Sequence, residues 1–393
     1  MPKNNPKKKN LVIGAGFSGA VMAQKLANTL NEDVLVIDKN SHLAGLCYDY
    51  DDKGINVHKS GLHAFHTNYE YIWKYLNKFS KFNTYMHKNG ASIDGIDVTL
   101  PFNLNTIDKI FPKMLAGKLE YKLINKYQYG TKIPIIDFKR KVFWDKDFDF
   151  LANYIYQNTF FNQAQKQWNS RSLEDLVSKI FVFISRDDRY YQDKFQGVPE
   201  CGYTKLIENI LNHKNIKILT STDYKDIDTD GFDRIFYTGS IDEFFNYKYG
   251  VLEYRSAYFD FINIGKEFYQ RCGVVNYPNN YDFTKIYEFK HCCDKKCNNT
   301  IIAKEYVNDF ILGENERTYP VLNEKNLKIY RKYKNEAKKL NNIYFLGRLG
   351  DFKNYDMDRA IKRAFELFDA IKFREYTDNA IDFKAETCVN MGV

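Results

Sequence analysis

Apolar and polar positions near the N-terminus follow the order strand, helix, strand. Leu11 to Ile13 is a short apolar run that ends in glycines, which predicts a buried strand. The following SGAVMAQKLANTL has apolar residues at helical spacing, and DVLVID then predicts a second buried strand. A strand, a helix and a strand in this order predict a βαβ unit with parallel strands.

A second unit of this kind lies near the C-terminus. The segment NIYFLGRLGDFKNYDMDRAIKRAFELFDAI predicts a strand from Ile343 to Leu346, then Gly347-Arg348, a loop, and an amphipathic helix from about Met357. A helix N-terminus after a glycine-containing strand end is an anion-binding geometry. Two such units at opposite ends indicate one discontinuous domain that holds a long dinucleotide such as FAD, with the middle of the chain inserted.

The inserted part has two different patterns. Residues 105 to 195 lack strand-like alternation and carry helical runs such as DFDFLANYIYQNTFFNQAQKQW. Residues 247 to 306 contain short Tyr, Phe, Val and Ile stretches broken by Asn, Gly and Pro, which favours strands and turns.

Three glycines follow the first strand in the register G-x-G-x-x-G. Gly14 permits a tight turn, Gly16 lets a pyrophosphate approach the backbone, and Gly19 lets helix and strand pack closely. The phosphates then lie on the helix N-terminus, where free N–H groups favour anions. Asp38 ends the second strand and is placed to accept hydrogen bonds from a ribose.

Composition narrows the class of protein. A chain of 393 residues predicts two or three domains, and 44% hydrophobic with 27% charged residues is typical of a soluble globular protein. The net charge of +8 suits a polyanionic small ligand, but no Lys/Arg stripe indicates nucleic-acid binding. The basic MPKNNPKKKN and the apolar run after it resemble a signal peptide. A signal peptide does not need the G-x-G-x-x-G register, so we expect the first residues to form a frayed tail on a cytoplasmic protein. No other apolar run approaches the roughly 20 residues of a membrane span.

Cysteine and histidine raise the question of a metal site. Seven cysteines favour reduced thiols, and the adjacent cysteines of HCCDKKC fit a tetrahedral zinc site poorly, so a surface loop is the preferred interpretation. HKSGLHAFHTN places His58, His63 and His66 close together. These three could bind a metal, transfer protons or shape a pocket, and no carboxylate or thiolate partner lies near them in the sequence.

Motifs along most of the chain resemble those of the flavin-dependent UDP-galactopyranose mutases. They include VIGAGFSGAV, HKSGLHAFHTN, LPFNLNT, KQWNS, RDDRYYQDKFQGVPECGYTKLIENIL, FYTGSIDEFFNYKYGVLEYR, KEY, YPV and GRLGDFKNYDMD. The resemblance implies an α/β fold: a Rossmann-like FAD-binding domain with an inserted helical domain and an antiparallel β-sheet domain. The expected boundaries are 1–81, 197–246 and 331–393 for the FAD domain, 104–196 for the helical domain, and 82–103 with 247–330 for the sheet domain.

The resemblance also implies an activity. N5 of reduced FAD attacks the anomeric carbon and displaces the nucleoside diphosphate, and the sugar then recloses, so that UDP-galactopyranose becomes UDP-galactofuranose. The implied partners are a nucleotide-sugar substrate, a reductant (NAD(P)H or a flavin reductase) and a second copy of the chain in a homodimer. No metal, nucleic acid or membrane span is expected.

The resemblance assigns residues to the site. His63, Lys285 and Lys179 are the expected catalytic residues, the two lysines as a diphosphate clamp assisted by Tyr190, Tyr319 and Arg186. The expected cofactor contacts are Gly14, Gly16, Phe17, Ser18, Gly19, Asp38, Lys39, Gly45, Leu46, His63, Arg348, Asp356 and Met357. The expected substrate contacts are His66, His87, Phe160, Gln163, Trp168, Lys179, Tyr190, Asn276, Lys285, Glu305, Tyr319 and Asn354.

The chain departs from the family pattern at several of these positions. Lys179 and Lys285 stand where the family has arginines, Asn354 replaces a phosphate-binding tyrosine, and Gln163-Ala164 replaces a Tyr-Thr that helps hold the uracil. Lysine keeps the charge but loses the bidentate fork of arginine. The same chemistry on another nucleotide sugar (UDP-GalNAc, a deoxy or pentose sugar, or a dTDP-linked sugar) is therefore an alternative. A flavin amine oxidase or a non-catalytic nucleotide-sugar binding protein is a more distant one.

Overall fold

Five short strands from three separated parts of the chain form one parallel sheet. The structure is a computed structural model, and it describes residues 7–138, 145–168, 180–279, 281–293 and 297–390. The side chains of the three central strands are largely buried, whereas those of the two edge strands are half-buried or exposed. In spatial order the strands are Ile216–Leu219, Asp33–Ile37, Lys9–Ile13, Arg234–Tyr237 and Ile343–Phe345. The predicted α/β class is confirmed.

The helix Phe17–Thr29 packs directly on this sheet. Its small residues at Gly19, Ala20 and Ala23 are buried, and they allow close contact with the central strand. A Cβ atom at Gly19 would lie 1.9 Å from the carbonyl oxygen of Gly14, so the backbones touch. The helices Met357–Asn390 and Tyr203–Leu211 pack against the same helix and complete one core.

A second, larger sheet has seven strands. In spatial order they are Tyr319–Pro320, Tyr254–Ile264, Thr300–Asp309, Lys285–Glu288, Val274–Asn276, Asn89–Ile93 and Ile96–Leu100. The neighbours are antiparallel except Val274–Asn276 and Asn89–Ile93, which pair in parallel. The expectation of an antiparallel sheet is therefore wrong for this pair. The two strands come from distant parts of the chain, so no hairpin dictates their relative direction.

The helices between residues 104 and 168 enclose a hydrophobic core of their own. They are Leu104–Ile110, Lys113–Tyr127, Ile135–Phe138, Lys146–Ile155, a π-helix at Tyr156–Phe161, and Asn162–Trp168. A small sheet of Phe102–Asn103, Phe181–Phe183 and Lys132–Pro134 adjoins them. The expected helical runs of residues 105 to 195 are present, and the region also holds strands of three residues, which are too short to show an alternating pattern.

The remaining elements connect these parts. Two small sheets are Asp49–Asp52 with Ile55–His58, and Phe65–Thr67 with Phe195–Gly197. The other helices are Glu70–Leu76, Ile241–Phe244, Glu324–Ala337 and Gly347–Gly350, with 3-10 turns at Gly45–Cys47, Tyr224–Asp226 and Phe289–Cys292. Within the described ranges, no helix combines the length and the apolar character that crossing a membrane requires.

The contact at Gly19 yields a stability prediction. Gly19→Ala should lower the free energy of unfolding by about 3 kcal/mol, because the added methyl forces helix and strand apart. Gly117→Ala is the matched control, since Gly117 lies in the helix Lys113–Tyr127 and a Cβ there meets nothing within 4 Å. It should raise stability by about 0.5–1 kcal/mol. Urea denaturation of both variants measures the difference, and equal midpoints would contradict the packing argument.

Candidate functional site

A cleft of about 340 Å³ opens at the carboxyl ends of the strands Lys9–Ile13 and Arg234–Tyr237. Ligands of open α/β sheets bind at this edge. All thirteen expected cofactor contacts lie on its wall: Gly14, Gly16, Phe17, Ser18, Gly19, Asp38, Lys39, Gly45, Leu46, His63, Arg348, Asp356 and Met357. Their contact with a cofactor stays a prediction.

The three glycines of the fingerprint have different surroundings. A Cβ at Gly14, where φ is +102°, would lie 2.0 Å from Thr238 Oγ1, so the protein itself requires glycine there, as it does at Gly19. At Gly16 the nearest atom to a Cβ would be Ala44 O, at 4.0 Å. Gly16 is also the N-cap of the helix Phe17–Thr29, and no side chain caps the N–H groups of the first turn. The open space and free donors fit the pyrophosphate of a dinucleotide.

Asp38 organises the adjacent loop. Its buried carboxylate accepts a hydrogen bond from Ala15 N at 2.8 Å through Oδ2, and from Asn40 N at 2.9 Å through Oδ1. Oδ1 also accepts a hydrogen bond from Asn40 Nδ2 at 3.0 Å, whereas Oδ2 can accept a second bond. Asp38 can therefore hold the glycine loop and a ribose hydroxyl together.

Arg348 also lines the cleft, on the short helix Gly347–Gly350. Its guanidinium donates to Tyr355 O at 2.8 Å and Thr318 O at 3.3 Å, and it lies 5.6 Å from the centre of the Tyr319 ring. Carbonyl groups orient the guanidinium but do not neutralise it, so its positive charge is available to an anion in the cleft.

The structure separates the roles of His58 and His63. His58 is fully buried, and its Nδ1 accepts a hydrogen bond from His63 N at 2.9 Å, which fixes the loop. His63 lines the cleft, and its buried Nδ1 has no hydrogen-bond partner among the described residues. Burial, with a smaller effect of His58 and Arg348, lowers the pKa of His63 to about 3. His63 therefore presents a neutral imidazole to the cleft at ordinary pH.

His66 lies on the strand Phe65–Thr67 and has a carboxylate partner that is distant in the sequence. Its Nδ1 is 2.5 Å from Asp193 Oδ2, and its ring stacks on Tyr191 with centroids 3.5 Å apart. The sequence around the histidines did not indicate this partner, because tertiary pairing with Phe195–Gly197 brings Asp193 to His66. Across the described ranges, His, Cys, Asp and Glu form no group of three or more that could hold a metal ion.

Three expected substrate residues occupy one row of the large sheet. Asn276 is paired with Lys285, and Lys285 with Glu305, in adjacent antiparallel strands. Directly opposed residues of a sheet lie on the same face. Residues spread over thirty positions of the sequence thus meet on one surface.

Lys285 and Glu305 form a buried ion pair in this row. Lys285 Nζ lies 3.1 Å from Glu305 Oε2, which also accepts a hydrogen bond from Tyr287 OH at 2.7 Å. Burial is the largest single influence on the pKa of Lys285 and lowers it, but Glu305 together with Tyr319 and Tyr190 acts in the opposite direction, and the pKa is raised overall. Glu305 Oε1 is buried and has no hydrogen-bond partner within the described parts of the chain.

Two tyrosines border this pair. Burial raises the pKa of Tyr319, and the Glu305 charge adds to this, while Lys285 and Arg348 act in the opposite direction. Burial also raises the pKa of Tyr190, which Lys285 opposes. Tyr319 is thus close to both Arg348 in the cleft and the Lys285–Glu305 pair.

The other expected substrate residues are dispersed around this surface. His87 is buried beside Tyr85 OH, with its Nδ1 at 3.1 Å, and Phe160 packs on the helical core. Gln163 is buried, and neither atom of its amide has a hydrogen-bond partner among the residues described. Asn354 is exposed, Trp168 ends the helix Asn162–Trp168, and Lys179 lies outside the described residues.

Arg186 already has two carboxylate partners in the structure. Its guanidinium pairs with Asp108 at 2.7 Å and Glu120 at 2.9 Å, on the exposed surface of the helical region. Two carboxylates thus hold this guanidinium, and its assistance to the proposed clamp stays a prediction.

Sequence reasoning missed several residues of the cleft wall. Lys59, Thr238, Glu243 and Arg317 line the cleft but were not assigned to it; the first three lie within quoted motifs, and Arg317 lies in none. Thr238 follows a buried strand directly, which was a usable signal because loops at that sheet edge bind ligands. Arg317 lies in a loop without a recognisable pattern, and only the tertiary structure brings it there.

Comparison with known proteins agrees with this geometry. A family model described as UDP-galactopyranose mutase matches residues 158–354, and one described as NAD(P)-binding Rossmann-like domain matches residues 12–79. The chain is 34% identical to a dTDP-fucopyranose mutase of Escherichia coli, over 91% of this chain and 97% of that protein. It is 31% identical to a probable UDP-galactopyranose mutase of Klebsiella pneumoniae, over 91% and 93%.

A solved structure supports the fold. A crystal structure of reduced UDP-galactopyranose mutase aligns with a TM-score of 0.71 over 93% of this chain and 94% of that chain, at 15% identity. Together with the relatives, these matches show that the chain belongs to the UDP-galactopyranose mutase family, whose members are FAD-dependent mutases of nucleotide sugars.

Proposed function

We propose that the chain interconverts the pyranose and furanose forms of a nucleotide sugar, with UDP-galactopyranose as the first candidate substrate. The observation that carries the proposal is the position of Tyr319, which borders Arg348 in the cofactor cleft and the Lys285–Glu305 pair on the sheet. The two sites are therefore adjacent. A sugar held over the sheet can reach a cofactor held in the cleft.

FAD bound in its reduced form supplies the nucleophile for the anomeric carbon. The residues of the chain bind, orient and neutralise charge around that reaction. Gly16 and the helix N-terminus accommodate the cofactor pyrophosphate, and Asp38 accepts from a ribose. His63 contacts the reactive end without adding a positive charge, because its imidazole is neutral.

Lys285 is proposed to bind the diphosphate of the substrate. Its ammonium has three N–H donors, and one of them suffices for the contact with Glu305. Glu305 keeps the lysine charged in a buried place, and the remaining donors can meet phosphate oxygens. Negative charge that grows on a departing diphosphate is stabilised most where water is excluded.

A dTDP-linked sugar is the second candidate substrate. The relative with 34% identity over 97% of its length is named a dTDP-fucopyranose mutase. Gln163-Ala164 also stands at the position where residues that hold uracil were expected. The reductant is proposed to be NAD(P)H or a flavin reductase, and the functional unit a homodimer.

The substrate is tested with a panel. The dithionite-reduced protein is incubated separately with UDP-galactopyranose, UDP-GalNAc, dTDP-fucopyranose and a UDP-pentose, and pyranose and furanose forms are separated by chromatography. We expect one member to isomerise far faster than the rest. Absence of a furanose product from every member would contradict the proposed mutase activity on these substrates.

The redox requirement is a separate prediction. Activity should appear only after reduction, and the reductant should not be consumed in proportion to product, because the reaction is redox-neutral overall. Turnover and NADH absorbance are followed together. Full activity with strictly oxidised FAD would exclude a nucleophilic flavin.

Gly16 allows a test of cofactor binding that leaves the fold intact. Gly16→Val should abolish FAD binding, since the side chain fills the space for the pyrophosphate, while the protein atom nearest to the added Cβ would be Ala44 O at 4.0 Å. Absorbance of bound flavin and circular dichroism of the variant are measured. A folded Gly16→Val protein with a full complement of FAD would contradict this placement.

Lys285 allows a test of the diphosphate contact. Lys285→Ala should lower kcat/KM by about two orders of magnitude or more, as expected for loss of a charge-stabilising donor. Lys285→Arg should retain activity, because its fork restores bidentate contact with phosphate. Lys304→Ala is the matched control: Lys304 is the neighbour of Glu305 on the same strand, and its Nζ lies 5.3 Å from the centre of the Phe283 ring. Normal turnover of Lys285→Ala on the best substrate would refute the assignment.

A further inference from the structure

The loop of residues 310–318 forms part of the cofactor cleft. It joins the strands Thr300–Asp309 and Tyr319–Pro320 of the large sheet, and Asn315, Glu316 and Arg317 line the cleft. The side chain of Asn315 stabilises the loop, since it accepts a hydrogen bond from Ile311 N at 2.9 Å and donates one to Asp309 O at 3.0 Å. The large sheet therefore contributes a defined wall to a cleft that otherwise belongs to the parallel sheet.

Arg317 connects this loop to the opposite wall. Its Nη1 donates to Glu243 Oε2 at 3.0 Å and its Nη2 to Tyr247 OH at 3.2 Å. The guanidinium also stacks on Phe310, 4.4 Å from the ring centre. Only 9% of the Arg317 side chain is exposed. Glu243 belongs to the helix Ile241–Phe244, which follows the strand Arg234–Tyr237, so the ion pair joins two separately built walls.

The neighbours of the pair indicate which part of the cleft it borders. Tyr224 packs edge-on against Tyr237, with centroids 5.2 Å apart, and stacks beside Phe244. Thr222, two residues earlier, donates its N–H to Asp38 O at 2.9 Å. An acid at the end of the second strand binds the ribose of the adenosine half in a dinucleotide fold. The pair is thus on the adenosine side of the cleft.

We propose that the Arg317–Glu243 ion pair closes the 310–318 loop over the adenosine half of the cleft, and that Arg317 is a positioning residue that slows the release of FAD. The proposal rests on FAD as cofactor and not on the identity of the sugar. A largely desolvated arginine–carboxylate pair resists separation, because each group would be left without its partner in a poorly hydrated place. Release of the dinucleotide requires that this contact open.

Arg317 could instead act as a simple cation that attracts phosphates. The two explanations predict opposite effects at Glu243. If Arg317 works by attraction, Glu243→Gln leaves its charge less neutralised and should slow FAD release. If the ion pair closes the loop, Glu243→Gln breaks the closure and should accelerate FAD release.

The experiment measures FAD release from purified holoenzyme, by the rise of flavin fluorescence after dilution. Arg317→Ala and Glu243→Gln should each accelerate release about tenfold or more, which is the scale for a partly buried charge pair. The double variant should release FAD no faster than the faster single variant, because both changes break one contact. Arg317→Lys, which keeps the charge but loses the fork, should lie between the unaltered chain and Arg317→Ala.

Two controls separate closure from general loss of ion pairs. Arg186→Ala removes an arginine with two carboxylate partners far from the cleft, and Lys225→Gln removes the long 3.9 Å contact of Glu243 with Lys225. Neither should change the release rate by more than about twofold. Thermal unfolding of each apoprotein detects a variant that merely folds poorly.

The possible outcomes distinguish failure of the loop closure from failure of the cofactor assignment. Slower release from Glu243→Gln, or unchanged release from Arg317→Ala, would overturn the closure of the loop. Acceleration that is matched by an equal loss of apoprotein stability in both single variants would also overturn it. Failure of the unaltered chain to bind FAD at all would contradict the cofactor assignment instead, so the two failures are distinguishable.

Discussion

The backbone contact between the helix Phe17–Thr29 and the central strand is the constraint on which the site depends. At Gly19 there is no room for a side chain, because a Cβ would lie 1.9 Å from Gly14 O. The same holds at Gly14, where a Cβ would lie 2.0 Å from Thr238 Oγ1. This close approach places the free N–H groups of the helix at the sheet edge. Gly16, which has room for a side chain, is left with a different role: it keeps the adjacent space open for a ligand. Packing and binding thus require glycine for separate reasons within six residues.

Charge is distributed unequally over the two halves of the site. At the cofactor side, Arg348 is oriented by carbonyl oxygens and keeps its charge. On the sheet, Lys285 is neutralised by Glu305 and sits in a buried place where an unpaired ammonium would be costly. On the adenosine side, Arg317 is paired with Glu243. Neutral carbonyl groups thus orient Arg348, whereas a carboxylate orients each of Lys285 and Arg317.

The large sheet serves both sites at once. One row of its face carries Asn276, Lys285 and Glu305, while the loop after the strand Thr300–Asp309 reaches the cofactor cleft. Tyr319 begins the next strand and borders both regions.

The sequence by itself determined the α/β class, the βαβ units and the glycine register, because local periodicity and backbone sterics act over a few residues. It also indicated which residues belong near the cofactor, and the thirteen expected contacts line one cleft. It could not reveal Asp193 beside His66, the ion pairs of Arg186, the parallel pairing of Val274–Asn276, or the approach of Arg317 to Glu243. Each of these joins residues that are distant in the chain, and their proximity depends on how whole sheets and loops pack. Only the tertiary structure decides such contacts, because the free energy that favours them comes from the packing of distant segments and not from the local sequence.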